Sequence, residues 1–320
     1  MDHNSEIPSF RNVLAAAERI SDSAHRTPVI TSSYFDQKTG GRIYFKCENL
    51  QKVGAFKFRG ACNAIFSLSD EEAQKGVATH SSGNHGQAVA YAAKLRGIQA
   101  HVVMPEYAPK LKVNAVKGYG ANVVRCENSM ESRQSVLEEV LNKTGATFIH
   151  PYDDARVIAG QGTAALEFLD EVPDLDFILT PVGGGGLLSG TAIVAKNHPQ
   201  TVRVIGTEPE TVNDAYRSFK AGEHIIDGNG ETVADGLRAT LGKLNFRIIH
   251  RDVNDIVTVT EEAIISSMRT FWERTKLIIE PSCAVPIAAL LENKIDVAGK
   301  KAGIIITGGN LDLDKLPWQV

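Results

Sequence analysis

Short β-rich runs alternate with amphipathic stretches along nearly the whole chain, and that alternation limits the fold more than any other feature. Runs at 43–48 (IYFKCE), 77–81, 100–104 (AHVVM), 122–126, 148–151, 177–182, 202–207 and 303–307 (GIIIT) read as strands. Helical patterns stand between them or follow them at 84–95, 108–117, 132–144, 162–171, 187–197, 261–276 and 282–293. Strands separated by helices of this length mean βαβ units and a mostly parallel sheet. Several of the strands are unbroken apolar runs, as expected when helices cover both faces. The reading is therefore α/β. A chain of 320 residues suits one large domain or two medium ones. The compact run 79–145 reads as a small domain inserted in a large one made of 1–78 and 146–320.

Composition removes several classes of function. The net charge is −4 with 34 basic residues, and no Lys/Arg run exceeds two. A dedicated nucleic-acid or membrane-surface binder is not expected. The longest apolar stretch, 283–291, is nine residues and contains Pro286, far short of a bilayer span. The opening MDHNSEIPSF has no basic and apolar segments of a secretory signal. Cys47, Cys62, Cys126 and Cys283 are widely spaced without a CxxC, which fits a reducing cytoplasm and argues against a disulfide framework.

In open α/β sheets, ligands bind outside the carboxyl ends of the strands. Three such ends carry unusual residues: 79–85 (THSSGNH), 183–190 (GGGGLLSG) and 307–310 (TGGN). Gly183, Gly184, Gly185 and Gly186 directly follow an apolar strand, and Leu187 opens a helix. Removing four Cβ atoms lets backbone N–H groups surround an anion, and the helix N-terminus adds partial positive charge. A tight strand-to-helix turn would need only one glycine. The dinucleotide fingerprint GxGxxG fails, because Leu188 or Ser189 stands at its third position, although Glu208 at the next strand end speaks mildly for it. No GxxxxGK[ST] is present. The cup suits a single small phosphate.

Lys57 lies in GAFKFRG, after the first strand and at a helix start, flanked by Phe56 and Phe58. A lysine at such a place is usually a solvated charge. Held in an apolar slot, its amine would titrate low and suit Schiff-base chemistry. A phosphate cup with a desolvated lysine points to pyridoxal phosphate. The segment Ser81-Ser82-Gly83-Asn84-His85 closes a strand and opens a helix, so it either holds a substrate carboxylate or simply caps the helix.

Together these motifs resemble the fold-type II pyridoxal-phosphate enzymes. The resemblance is narrower still to serine racemases and serine/threonine dehydratases, including 3-hydroxyaspartate dehydratases. It spans about residues 20–318 and carries four motifs in order. The resemblance implies two lobes with mostly parallel sheets and helices on both faces, the large one binding the cofactor. It makes Lys57 the Schiff-base lysine, Phe56 the aromatic neighbour of the cofactor ring and Asn84 the partner of its phenolic oxygen. Gly183–Gly186 with Leu187 would be the phosphate loop. Thr307 would be the hydroxyl at the pyridine nitrogen, where serine racemases more often carry serine. Ser82 matches the serine that faces the lysine across the substrate in racemases, and Ser81, Asn84 and His85 would line the substrate with it.

The activity implied is elimination from a small β-hydroxy amino acid, L-serine, L-threonine or 3-hydroxyaspartate, giving a 2-keto acid and ammonia. Serine racemisation is the alternative or companion activity. Arg133 and Arg238 are candidates for a second substrate carboxylate, with solvated surface arginines as the plain alternative. Glu208, Asp214 and the carbonyl of Val212 match a Mg²⁺ or Ca²⁺ site, where hard oxygen ligands are apt; otherwise they are two surface carboxylates. Lys52, Gln87, Tyr119, Lys276 and Asn310 match an ATP effector site at the subunit interface of a homodimer. Two other classes remain as competitors: a nicotinamide-dependent oxidoreductase, disfavoured by the failed fingerprint, and a non-catalytic amino-acid sensor.

Overall fold

The computed structural model describes residues 6–108, 110–227 and 230–319. Its strands are β1 (Val29–Thr31), β2 (Arg42–Cys47), β3 (Val77–His80), β4 (Ala100–Pro105), β5 (Asn122–Cys126), β6 (Thr147–Phe148), β7 (Phe177–Pro181), β8 (Arg203–Pro209), β9 (Asp255–Val259) and β10 (Lys301–Ile306). They form a six-stranded sheet in the order β1-β2-β10-β7-β8-β9 and a four-stranded sheet in the order β5-β4-β3-β6. Only β1 pairs antiparallel, with β2. All other pairs are parallel.

The large sheet is buried on both sides, and its side chains alternate between two cores. Ile178, Val204 and Ile305 face one core with residues from the helices Ala155–Glu171, Gly186–Lys196 and Lys243–Asp252. Phe177, Leu179, Ile205, Ile304 and Ile306 face the other, with the helices Glu261–Thr275 and Pro281–Leu291. The strict period of two explains why these strands read as continuous apolar runs. The small sheet repeats the plan, with Val77, Val102 and Met104 on one side and Ala78 and Val103 on the other. It starts at Val77 and ends at Phe148, slightly outside the interval 79–145.

Several expected elements differ. The strand expected at 148–151 shrinks to Thr147–Phe148. Pro151 has no N–H to give a ladder, and the N–H groups of Tyr152 and Asp153 turn inward to His150 Nδ1. The helix expected from 162 begins at Ala155, capped by Asp154, whose carboxylate accepts from Arg156 N at 2.8 Å. Gly160 and Gly162 obscured its first half. They serve contact rather than flexibility: a Cβ on Gly160 would lie 2.6 Å from Gly60 Cα, and one on Gly162 3.0 Å from Gly190 O. The helix expected at 108–117 is Lys110–Gly118, with Pro109 outside the described residues. Strands β1 and β9 were not foreseen. The first is a three-residue edge, and the second is opened by Asp255, a poor strand former.

All four cysteines are buried and unpaired. Among the described residues no helix is long and apolar enough to cross a membrane. The carboxyl ends of β3, β6, β7 and β10 lead directly to Ser81, Ile149, Val182 and Thr307.

Candidate active site

Lys57 opens the helix Lys57–Phe66. The turn before it holds Val53 at φ 57° and Gly54 at φ 70°. A β-branched residue rarely takes a positive φ, so the surroundings must impose it. They do so from the exit of β10. Asn310 Nδ2 donates to Val53 O at 2.7 Å, Gly309 N to Gly54 O at 3.0 Å, and Phe56 N to Thr307 O at 2.9 Å. The half-buried Lys57 amine donates to Pro151 O at 2.8 Å and sits 5.2 Å from the centre of the Phe56 ring. Burial draws its pKa down to about 8, with the negative charge of Glu280 opposing. Arg59 of the same motif points away. It is fully buried and bonded to Glu48 at 2.7 and 2.8 Å and to Glu167 at 2.7 and 2.8 Å, which anchors the helix.

Asn84 is the first residue of the helix Asn84–Arg96. Its Nδ2 donates to Glu280 at 2.9 and 3.1 Å, and its Oδ1 accepts from Asn310 Nδ2 at 3.0 Å. Asn310 N also donates to Glu280, at 3.2 Å. Asn310, expected at a nucleotide site, thus stands immediately behind Asn84. Glu280 was missed by sequence reasoning. Burial raises its pKa to about 7, against the pull of the Asn84 bond. The one available signal was a lone carboxylate closing the apolar run 277–279 just before Pro281.

Gly83 is the N-cap of that same helix, and no side chain caps it. The amides of the first turn therefore have no internal side-chain acceptor, which suits them to an anion. Ser81 and Ser82 are half-buried in the loop, and Ser81 Oγ accepts from Gly83 N at 3.2 Å. His85 is buried. Its Nε2 lies 3.1 Å from Ile149 O, so that nitrogen carries the proton and Nδ1 is a bare acceptor, buried without a partner. Burial, then the Lys57 charge, hold this imidazole well below its ordinary pKa. His150 is likewise brought down to about 4, chiefly by burial.

Arg133 lies on the helix Met130–Thr144, half-buried, with Nε buried and unpartnered. Its one side-chain bond among the described residues is a long one to Asn128 Oδ1, 3.4 Å. Its charge reaches His80 at the end of β3, adding to burial in lowering that imidazole's pKa. Arg238 is exposed and donates to Thr232 O at 2.8 Å.

The glycine loop is a cradle that no side chain could share. A Cβ on Gly184 would meet the Tyr152 ring at 2.2 Å, and one on Gly185 would meet Leu241 Cδ1 at 2.7 Å. On Gly183 and Gly186 the corresponding distances are 3.0 Å to Leu237 Cα and 3.2 Å to Tyr152 O. Gly185 takes φ 91° as N-cap of the helix Gly186–Lys196, again without a side-chain cap, and Leu187 is in its first turn. Tyr152, unforeseen from the sequence, walls this loop. These features fit a phosphate group. Thr307 is buried at the end of β10, its hydroxyl 3.1 Å from Cys283 Sγ.

Glu208 and Asp214 are both buried. Glu208 accepts from Ala215 N at 3.2 Å and Tyr216 N at 2.8 Å, and Asp214 accepts from Leu241 N at 2.7 Å. Burial, helped by the Asp214 charge, raises the Glu208 pKa well above the usual range. Val212 is buried between them in sequence. Among the described residues no three His, Cys, Asp or Glu side chains form a metal cluster. The donor set of two carboxylates and a carbonyl does not require one. Lys52 Nζ lies 6.0 Å from the Tyr91 ring, which packs on Tyr119 at 5.0 Å. Gln87 is buried one helical turn before Tyr91. Lys276 is exposed at a helix end, with φ 64°.

The family model described as "Pyridoxal-phosphate dependent enzyme" matches residues 20–308. The chain is 49% identical to the beta-hydroxyaspartate dehydratase of Paracoccus denitrificans, covering 98% of this chain and 99% of that one. It is 44% identical to the L-threo-3-hydroxyaspartate ammonia-lyase of Saccharomyces cerevisiae, over 97% and 95% of the two chains. The crystal structure of serine racemase from Dictyostelium discoideum superposes with a TM-score of 0.92 at 50% identity, over 96% and 99%.

Proposed function

This chain belongs to the pyridoxal-phosphate dependent enzyme family, and from that premise we propose that it converts a small β-hydroxy amino acid into a 2-keto acid and ammonia, water being lost in the elimination and taken up again in the hydrolysis that follows, with 3-hydroxyaspartate as its main substrate. The fold is that of the fold-type II members, and the enzyme is a lyase with room for racemase activity. The observation that carries the reading is the Lys57 amine, half-buried, 2.8 Å from Pro151 O and with a pKa of about 8.

Bound pyridoxal phosphate supplies an electron sink conjugated to the substrate's amino group. The N–H groups of Gly183–Gly186 and Leu187 would hold its phosphate, Phe56 would pack beside its ring, and Asn84 would offer its phenolic oxygen the N–H not given to Glu280. The Thr307 hydroxyl would face the ring nitrogen and, being neutral, would not force a proton onto it, which suits prompt loss of the β-hydroxyl better than a lasting negative charge at Cα. Lys57 takes the Cα proton; an amine titrating near 8 is well matched to that role at neutral pH. Ser81, Ser82 and the uncapped amides at Asn84 and His85 hold the α-carboxylate. Arg133 receives a second carboxylate, and its unpartnered Nε favours a dicarboxylic substrate over serine or threonine. The product hydrolyses to a 2-keto acid and ammonia.

The second reading, serine racemisation, draws on Ser82, half-buried on the loop after β3. A divalent cation, Mg²⁺ or Ca²⁺, would sit between Glu208, Asp214 and the Val212 carbonyl, where it would compensate two buried carboxylates. Lys52, Gln87, Tyr119, Lys276 and Asn310 would receive ATP as an effector in a cytoplasmic homodimer; the Lys52–Tyr91–Tyr119 cluster is the part that supports it. The core of the proposal is tested by Lys57→Ala. Turnover and the visible band of the bound cofactor should both vanish. A variant that keeps a borohydride-reducible cofactor adduct and full activity would refute it.

A further inference from the structure

Cys283 occupies the first turn of the helix Pro281–Leu291 and is fully buried. Its sulfur lies 3.1 Å from Thr307 Oγ1 and 2.9 Å from Gly308 O, and it accepts from Gly308 N at 3.0 Å. A thiol has one proton, so two acceptors compete for it. Gly308 O already accepts from Glu280 N at 3.1 Å. Thr307 Oγ1 has no other hydrogen-bond partner among the described residues.

We propose that Cys283 is a positioning residue, whose S–H donates to Thr307 Oγ1 and thereby commits the Thr307 hydroxyl proton to the cofactor's ring nitrogen. The inference rests on the reading, given above, that Thr307 faces that nitrogen. Gly308 N–H occupies a sulfur lone pair, and the S–H has two acceptors in reach, Gly308 O at 2.9 Å and Thr307 Oγ1 at 3.1 Å. Gly308 O is already engaged by Glu280 N, and the Thr307 hydroxyl has no other partner among the described residues, which is the ground for giving the S–H to Thr307. A hydroxyl that accepts a bond donates a stronger one, so the two bonds reinforce each other. Burial pushes the Cys283 thiol up to about 12, so it stays a donor over the whole neutral range. The consequence is chemical. With the hydroxyl locked as donor, the ring nitrogen stays unprotonated and elimination is favoured over racemisation. Without the thiol, the hydroxyl can turn and accept from a protonated nitrogen.

The test uses holoenzymes of wild type, Cys283→Ala, Cys283→Ser, Thr307→Val and the double variant Cys283→Ala/Thr307→Val. The readouts are the rate at which the visible cofactor band is lost on dialysis, and the ratio of D-serine to keto acid formed from L-serine. Cys283→Ala should speed cofactor loss by roughly twofold to tenfold, the equivalent of one hydrogen bond, and raise the D-serine fraction. Cys283→Ser keeps a donor and should restore both values toward wild type. In the Thr307→Val background, Cys283→Ala should add nothing, because its effect runs through the missing hydroxyl. Additive effects, or a Cys283→Ser enzyme that behaves like Cys283→Ala, would overturn the inference and leave Cys283 as packing. A wild-type protein that shows no cofactor band would overturn the underlying reading and this inference with it.

Discussion

Lys57 and Glu280 illustrate how two residues share one electrostatic problem. Burial pulls the amine down to about 8 and pushes the carboxyl up to about 7. Only the neutral amine condenses with an aldehyde. Reattachment of cofactor to stripped enzyme should therefore accelerate roughly tenfold per pH unit below about 8 and level off above it. An ordinary lysine would keep accelerating to about 10.4. Glu280 opposes the fall in the Lys57 pKa, so Glu280→Gln should move the levelling point below 8 while the Asn84 bond survives through the Gln oxygen. A levelling point unchanged in the variant would show that Glu280 does not act on the amine. Ser82 poses a separate question of faces. If Lys57 works on one side of the planar substrate and Ser82 on the other, Ser82→Ala should abolish D-serine formation and elimination from D-serine. Keto-acid release from L-substrates should persist, and the loss should be large, on the order of 10²–10⁴-fold. Equal loss of both activities on L-serine would make Ser82 a holder of the carboxylate instead. Lys57 and the glycines stood out because each belongs to a short motif with a local physical reason, whereas Asn84 was singled out only by the family resemblance. Glu280 was not, because its role depends on Asn84, 196 residues away along the chain.

Elements set these residues in place by their ends. The site residues cluster where strands stop and helices begin, and four helices that start there, Lys57–Phe66, Asn84–Arg96, Gly186–Lys196 and Pro281–Leu291, all begin without a side-chain cap. Strand periodicity was easy to read, since β7, β8 and β10 feed two cores by simple alternation. Helix starts were harder. Gly160 and Gly162 look like breakers in the sequence, yet they let the helix Ala155–Glu171 touch Gly60 and Gly190. That is a tertiary cause no local pattern contains. The end of β8 gives the prediction at this scale. If Glu208, Asp214 and the Val212 carbonyl hold a cation, the ion ties β8 to the helix Asp214–Ala221 and stabilises only the folded state. Chelator should lower the melting temperature, and Mg²⁺ or Ca²⁺ should restore it. A melting temperature indifferent to both would leave Glu208 as the acceptor for Ala215 N and Tyr216 N and nothing more.

At the scale of the whole molecule, two mostly parallel sheets are joined by hydrogen bonds between the loops at their strand ends. Asn84 to Glu280 and Lys57 to Pro151 O both join a residue beside one sheet to a residue beside the other. The large sheet carries the glycine loop and Thr307, whereas the small sheet carries the Ser81–His85 loop and, beside it, Arg133. On the proposed reading the phosphate and the ring nitrogen are met from the large sheet, and the substrate carboxylates from the small one, with Asn84 reaching the cofactor from the small-sheet side. The α/β alternation made the two-sheet plan readable, but the substrate was not readable, because on the proposed reading the partner of Arg133 is a molecule outside the chain. The most direct measurement is therefore a substrate panel. Keto acid and ammonia released from 3-hydroxyaspartate, L-serine and L-threonine are quantified with wild type and Arg133→Gln, alongside D-serine formed from L-serine. The account predicts that 3-hydroxyaspartate has the highest kcat/KM, and that Arg133→Gln lowers it by roughly tenfold or more while serine turnover changes little, as expected for one lost charge-assisted bond. Equal losses on all three substrates, or a wild type that racemises serine faster than it eliminates from any of them, would contradict it.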